Sequence, residues 1–380
     1  MKKYKLGDVL EEFHSGNNIK AADIKDVGEY PVFGANGLRG YTDRYNCDGD
    51  VAIIGRQGAY CGNVKFFSGK AYYTEHAVIA KPKKGFDAKY LACKLPFYQL
   101  EKYQGQSAQP GLSVGTLSLI EVELPSYENQ KEVALVLSTL DQRIENLRAQ
   151  NRVLEQTAKT IYDYAFLQCA GHQTTYNKTL NRNIPADWEV KNMSELAEVI
   201  NGATPSTAEE GNFDGDIVWI TPKDLSDQKS KFVYFGERTI TQKGYDSCST
   251  TLVPVNSILM SSRAPIGLVS IAKCELCTNQ GFKTFVPKSE DCTEYLYYYL
   301  LTNMKKIEQL GSGTTFKEVS RGCLTSFPVI VPDKKTLDVF NASIKPLFQK
   351  QFVNTKQIET LTTQRNTLLP LLMTGQVVID

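Results

Sequence analysis

A chain of 380 residues exceeds the usual size of a single domain and predicts two globular units, each large enough to bury a core. Its formal net charge of +1 excludes a uniformly basic surface, so contact with nucleic acid must rest on local clusters or on a partner protein. Nine scattered cysteines, an odd number, argue against a disulfide framework and for a reducing compartment.

Residues 1–8 carry lysines but no apolar stretch, and no later run approaches the length of a membrane span. A soluble cytoplasmic protein with no membrane partner is expected. Residues 1–128 read as a first domain, with short β-type runs at 51–54, 64–67 and 77–80 separated by Gly-rich turns. Residues 89–103 have helical periodicity, closed by Gly105, and 119–124 read as a last strand. The interesting chemistry lies in the loops. Arg39 and Tyr41 follow an Asn-Gly turn, Arg56, Gln57 and Tyr60 stand among glycines, and Gln106, Ser107 and Gln109 share a polar loop. Arginine on guanine and glutamine on adenine are common major-groove pairings, and glycine lets backbone approach a ligand closely. On composition alone, the plainer reading is a set of solvated turns.

Residues 129–170 read as one long helix. Val133, Leu137, Leu140, Ile144, Leu147, Asn151, Leu154, Ala158, Ile161 and Ala165 follow at alternating steps of four and three, the spacing of a coiled-coil seam. Asn151 falls where a lone buried amide fixes register. A linker, 171–183, leads to a second domain, 184–332. There Gly202 opens a turn cluster, 217–220 is a strand running into Lys223, and 258–260 is a strand running into Ser261, Ser262 and Arg263. Residues 333–380 carry a weaker seam through Phe340, Ile344, Leu347, Gln351, Asn354, Ile358, Leu361, Arg365, Leu368 and Leu372. Pro346 is expected to kink this helix or set its boundary, and Pro370 with Gly375 to end it. The two helices are mates within one chain, although a heptad run also permits a homodimeric zipper.

The landmarks of the first domain recur in order in the second. Arg56 matches Arg263, Gly62 matches Gly267, and Thr74-Glu75-His76 matches Thr278-Asn279-Gln280. Tyr90-Leu91 matches Tyr295-Leu296, Leu112-Ser113 matches Val319-Ser320, and Leu124-Pro125 matches Val331-Pro332, with an offset that drifts by only a few residues. So long a period means duplication of a domain-plus-helix module, not a solenoid. A kept frame with altered loop tips is how two related modules would read different short sequences.

Several catalytic and cofactor motifs are missing: no GxxxxGK[ST], no GxGxxG after a strand, no HExxH and no Asn/Asp-Pro-Pro-aromatic tetrapeptide. His76, at the edge of an apolar run, reads as a hydrogen-bonded structural histidine. Cys274 and Cys277 form the one CxxC and lack a second ligand pair, so no metal is expected. The chain reads as a recogniser, not a catalyst.

One family combines these features. Tyr30-Pro31-Val32-Phe33-Gly34-Ala35-Asn36-Gly37, Gly55-Arg56-Gln57-Gly58-Ala59-Tyr60-Cys61-Gly62, Ile184-Pro185-Ala186-Asp187-Trp188, Gly202-Ala203-Thr204-Pro205-Ser206-Thr207 and Gly313-Thr314-Thr315-Phe316-Lys317-Glu318, in this order and duplicated, resemble the DNA-specificity (S) subunit of type I restriction-modification enzymes over essentially the whole chain. The resemblance implies an α+β fold: two β-rich target-recognition domains in a pseudo-two-fold arrangement, joined by an antiparallel coiled coil of the two helices. It implies recognition of a bipartite asymmetric site in double-stranded DNA. The implied partners are two adenine-N6 methyltransferase subunits holding S-adenosylmethionine, and restriction subunits using ATP and magnesium. The chain itself would bind no cofactor and catalyse nothing. Carried over, Arg39, Tyr41, Arg56, Gln57, Tyr60, Gln106, Ser107 and Gln109 in the first domain become candidate DNA contacts. Their second-domain companions are Lys223, Ser262, Arg263, Asn279, Gln280, Thr314, Thr315 and Lys317. The chain departs from the pattern at 13–18, where the Gly202 cluster has no clear equivalent.

From Leu137 to Ala165 the seam spans about 42 Å at 1.5 Å per residue, against roughly 34–36 Å for a turn of B-DNA. Helix length could thus act as the ruler for the unread gap in the site. Two other readings compete: a coiled-coil scaffold without DNA specificity, in which Arg56→Ala and Arg263→Ala alter only stability, and an enzyme with an unrecognised site, which would turn over alone.

Overall fold

The computed structural model describes residues 1–105, 111–312, 317–377 and 379. Its contacts divide the chain into a first unit, Met1–Asn146 with Gln357–Asp380, and a second, Leu147–Lys356, so that both boundaries fall inside long helices.

In the first unit a four-stranded antiparallel sheet runs in the order Leu10–Ser15, Ala77–Pro82, Asp50–Gly55, Val64–Ser68. Asp50–Gly55 is buried from its second residue on, because both of its faces are covered. Ala52 and Ile54 meet Tyr90 and Leu91 of the helix Ala88–Lys94, while Val51 and Ile53 meet Tyr73 and Ile79. Tyr30–Gly34 pairs antiparallel with Gly37–Thr42 and parallel with Tyr72–Tyr73, forming a second sheet. The helical pattern expected over 89–103 holds only to Lys94. Pro96 supplies no amide hydrogen, and the chain continues as two 3-10 turns, Leu95–Tyr98 and Leu100–Tyr103, broken at left-handed Gln99.

The second unit repeats both sheets. Ala197–Asn201, Phe282–Pro287, Ile258–Ser261 and Val269–Ala272 reproduce the larger one; Arg238–Ile240, Phe213–Ile220 and Cys277–Thr278 reproduce the smaller. A fifth strand, Phe232–Val233, joins Val269–Ala272 in parallel. It belongs to an insertion, 221–237, that has no counterpart in the first unit and upsets the near-constant offset expected from sequence. The insertion opens with the helix Pro222–Gln228, where the Thr221 side chain and Asp224 form a capping box and Pro222 occupies the first turn. The linker is also structured, since Thr174–Asn177 pairs with Arg182–Pro185 as a hairpin.

The central helix, Tyr127–Tyr162, ends in a π turn, Asp163–Leu167, and the C-terminal helix is Lys334–Thr374. Of the two outcomes expected at Pro346, a kink or a boundary, the boundary is not found, since the helix runs through it. The carbonyl of Ala342, deprived of its donor, lies on an exposed residue where water can satisfy it. Within each unit the helices run antiparallel. In the first, Val133, Ala134 and Leu137 share a core with Leu372 and Met373, and Asp141 pairs with Arg365. In the second, Ala158, Tyr162 and Phe166 share a core with Phe340, Ile344 and Phe348. Phe166 packs edge-on to Tyr295 and Phe340 at 4.7 and 4.9 Å and against Trp188 at 5.7 Å, binding the helices to the second domain. Each ring so buried contributes about 2–3 kcal/mol.

Of the expected seam, Ile144 and Leu147 are buried, whereas Leu140, Leu154, Ile161, Leu347, Ile358, Leu361 and Leu368 are only partly so. Asn151 is not a lone amide. Asn354 donates to its Oδ1 at 3.0 Å and Gln351 to its backbone oxygen at 3.2 Å. Lys231 from the insertion reaches in, donating to Gln351 at 2.9 Å, pairing with Glu155 and lying 3.9 Å over the Phe348 ring. Burial pulls Lys231 down to about 8 despite Glu155. Among the described residues, no helix is long and apolar enough to cross a membrane.

Candidate nucleic-acid interface

At one end of the first unit five chain segments are tied together by four backbone bonds. Asn17 N–H donates to the Tyr73 carbonyl at 2.9 Å, Thr74 to Phe33 at 2.8 Å, Arg56 to His76 at 2.9 Å and Leu112 to Arg56 at 2.9 Å. Gly16 is required there, because a Cβ would collide with the Tyr73 carbonyl. The side chains on this end are polar. Arg56 Nε donates to the Leu112 carbonyl at 3.2 Å, Gln57 Oε1 lies 3.0 Å from His76 Nδ1, and His76 Nε2 lies 3.3 Å from Glu75 Oε1. Arg39 lies on the same end, its side chain against Gly34, while Tyr60 is exposed. Tyr41 is bonded instead to Lys25 through the backbone and does not join the Arg56 group. His76 is hydrogen-bonded, as expected, but stands half exposed on the polar end and not in the core.

The second unit has the same backbone ties. Ala203 donates to Thr278 at 2.9 Å, Asn279 to Ile220 at 3.0 Å, Ser262 to Gly281 at 2.8 Å and Val319 to Ser262 at 3.0 Å. A Cβ on Gly202 would collide with the Asn279 carbonyl, so Gly202 is the equivalent of Gly16 that sequence could not find. These ties also correct the matching by one residue. Arg56 corresponds to Ser262 and Gln57 to Arg263, since the bridge Gln57 to Gly111 recurs as Arg263 to Glu318. Likewise Thr74, Glu75 and His76 correspond to Asn279, Gln280 and Gly281. A slip of one in a strand end swaps the side that a residue faces. Lys223 lies in the insertion and has no partner position in the first unit.

Ion pairs organise this second end. Arg263 holds Glu318 Oε2 at 3.0–3.1 Å and Lys283 holds Oε1 at 3.0 Å. Burial alone would push the Glu318 carboxyl up, but these two cations keep it below the usual range. Lys223 pairs with Glu237 at 2.6 Å, Thr204 donates to Gln280 Oε1, and the Gly281 amide donates to Asn279 Oδ1 at 2.9 Å. Lys317 is exposed beside Gly311. Gln106, Ser107, Gln109, Thr314 and Thr315 lie outside the described residues. Asn17, Thr204 and Glu75 enter the site from structure; only the close approach of Gly16 and Gly202 to their neighbouring strands reveals that these segments coincide.

Among the described residues, one His/Asp group could hold a cation, His172, Asp187 and Asp333. Asp333 Oδ2 already accepts from Trp188 Nε1 at 3.0 Å and from Thr336 Oγ1 at 2.5 Å, so it serves the start of the C-terminal helix. Cys277 is buried and its thiol pushed up to about 11, which does not suit a thiolate ligand.

The family model described as the type I restriction modification DNA specificity domain matches residues 1–156 and 185–367, both sheets and most of both helices. The chain belongs to that family. A type I restriction enzyme MjaIX specificity subunit from Methanocaldococcus jannaschii is 41% identical over 162 residues, 42% of this chain but 38% of that relative's length. A putative type I restriction enzyme MjaX specificity subunit from the same organism is 24% identical over 98% of this chain and 92% of its own. The crystal structure of a type I restriction-modification system S subunit from M. genitalium covers 98% of this chain and 95% of its own with a TM-score of 0.72 at 15% identity, a likeness of fold.

Proposed function

We propose that this chain is the non-catalytic specificity subunit of a type I restriction-modification complex, each unit reading one half of a bipartite, asymmetric DNA site. The reading rests on one observation above others: the two units build the same five-segment polar end on the same sheet frame and then fill it with different side chains. Residues 1–128 and 184–332 act as the target-recognition domains and the helices of 129–170 and 333–380 as the spacer, with 171–183 linking them. Methylation and cleavage belong to partners, two adenine-N6 methyltransferase subunits with S-adenosylmethionine and restriction subunits with ATP and magnesium. All act in the cytoplasm. Leu135, Thr139, Gln142, Val153, Thr157 and Tyr164 make an exposed, uncharged stripe along the central helix, a surface suited to a partner helix.

With little net charge, much of the phosphate contact falls to the methyltransferases, so the complex binds DNA with a steep salt dependence that this chain alone lacks. The test is to insert seven residues at matched points in both long helices and sequence the methylated sites made in complex with the methyltransferase. The gap between the half-sites lengthens while both half-sites stay the same; an unchanged gap contradicts the spacer role.

A further inference from the structure

We infer that Glu318 positions Arg263 to read a guanine, so that the second unit demands a G·C pair at one place in its half-site. This deepens the reading above and rests on it.

The guanidinium is held by one edge only. Arg263 Nε donates to Glu318 Oε2 at 3.1 Å, and Nη2 lies 3.0 Å from the same oxygen. That contact occupies the side of the planar group and fixes its plane. Nη1 has no partner among the described residues, and the Arg263 side chain is 45% exposed. The end of the fork, one hydrogen from Nη1 and one from Nη2, is therefore left with its direction set. Glu318 is itself fixed from behind, because Lys283, only 7% exposed, holds its other oxygen at 3.0 Å.

The sheet frame does not need these three charges. At the same places the first unit has Gln57 for Arg263, Gly111 for Glu318 and Val78 for Lys283, since Val78 faces Ile54 in the ladder as Lys283 faces Met260. Val78 is fully buried, and a lysine at that register is tolerated because Glu318 neutralises it. The second unit has thus added a buried cation whose ion-pair partner is the carboxylate that holds the arginine. A phosphate is a poor match for this arginine, because it would approach beside Glu318 and like charges repel. Neutral acceptors meet no such repulsion. Guanine O6 and N7 take both prongs of the fork, whereas adenine offers one acceptor beside a donor, thymine one acceptor beside a methyl group and cytosine a donor. Glu318 thus lowers the arginine's attraction to DNA at large and gives it an aim.

The test uses the chain in complex with its methyltransferase and maps N6-methyladenine over a randomised site library. Arg263→Lys keeps the charge and removes the fork, so one guanine of one half-site loses its preference by about tenfold while the other half-site is unchanged. Glu318→Asp keeps every charge but withdraws the carboxylate by one methylene, and relaxes the same guanine. Glu318→Ala combined with Lys283→Val leaves the net charge as it was and no lysine buried without a partner. It relaxes that guanine by about tenfold, and continued reading of the other half-site shows that the complex is assembled. Wild-type complex is also given duplexes in which carbon replaces N7 of that guanine, and methylation falls by about tenfold. An unaltered motif or a uniform loss over all sequences in Arg263→Lys, relaxation at a base other than guanine, a guanine preference that survives both Glu318 changes, or indifference to the missing nitrogen overturns the inference and leaves the specificity-subunit reading intact. If wild type writes no bipartite motif, both fall together.

Discussion

In the first unit the two long helices are pinned by a carboxylate, Asp141, held by Lys89 at 2.6 Å and Arg365 at 2.5 Å. In the second the pin is a lysine: Lys231, brought by the insertion, sits among Glu155, Gln351, Tyr298 and the Phe348 ring. Burial pushes the Asp141 carboxyl up, but its two cations keep it below the usual range; burial pulls Lys231 down against the opposition of Glu155 and Glu294. The sheets beneath are the same. Duplication has therefore kept the parts whose geometry is set by backbone pairing, and has let the polar contents of the seam and of the loop ends diverge.

That comparison is most severely tested at the paired glycines. Gly16→Ala and Gly202→Ala each force a Cβ into a neighbouring carbonyl, and each should cost roughly 3–4 kcal/mol in urea denaturation. Loss in one unit alone would break the claim of a common frame.

The pins should act in different pH windows, although in both the folded value lies below the unfolded one and stability rises with pH. The folded Lys231 value of about 8 lies below the ordinary 10.5, so the unfolded state binds more protons between them and stability rises with pH across that window. Wild type should gain up to about 3 kcal/mol there relative to Lys231→Met, read from thermal unfolding at pH 7.5 to 10.5. Asp141→Asn should instead lose its deficit only in acid: a carboxyl held low when folded stabilises above its unfolded value, and that contribution vanishes as pH falls through the folded one. A Lys231→Met variant that tracks wild type through alkaline pH would remove the contrast.

At the loop ends, Arg56→Ala and Arg263→Ala should each relax a different half-site by about 1–3 kcal/mol, measured as binding of the assembled complex to substituted duplexes. Because Arg263 is already held by Glu318, its loss should be the smaller of the two. The mildest change is Asn151→Leu with Asn354→Leu, which makes the second unit's seam apolar. Stability should stay within about 1.5 kcal/mol of wild type or rise, but the chain should begin to self-associate in light scattering, because the amide pair no longer dictates register. A strictly monomeric double variant would deny the amides that role.

The long helices, the duplicated order and the loop arginines were legible because each leaves a periodic or repeated mark on the sequence. Two things were not. The insertion that supplies Lys231 was hidden because every matched landmark, from Arg56 and Arg263 onward, lies on its C-terminal side. Arg56 was paired with Arg263 because identity outweighs a one-residue slip when strand register is unseen, whereas the bridges to Gly111 and Glu318 settle it.

The measurement that bears most directly on the central claim is a genome-scale map of N6-methyladenine made with the cognate methyltransferase in the presence and absence of this chain. Two units reading two half-sites predict a bipartite motif with one methylated adenine in each half, appearing only when the chain is present. Methylation of a single continuous motif, or of the same sites without the chain, would contradict it.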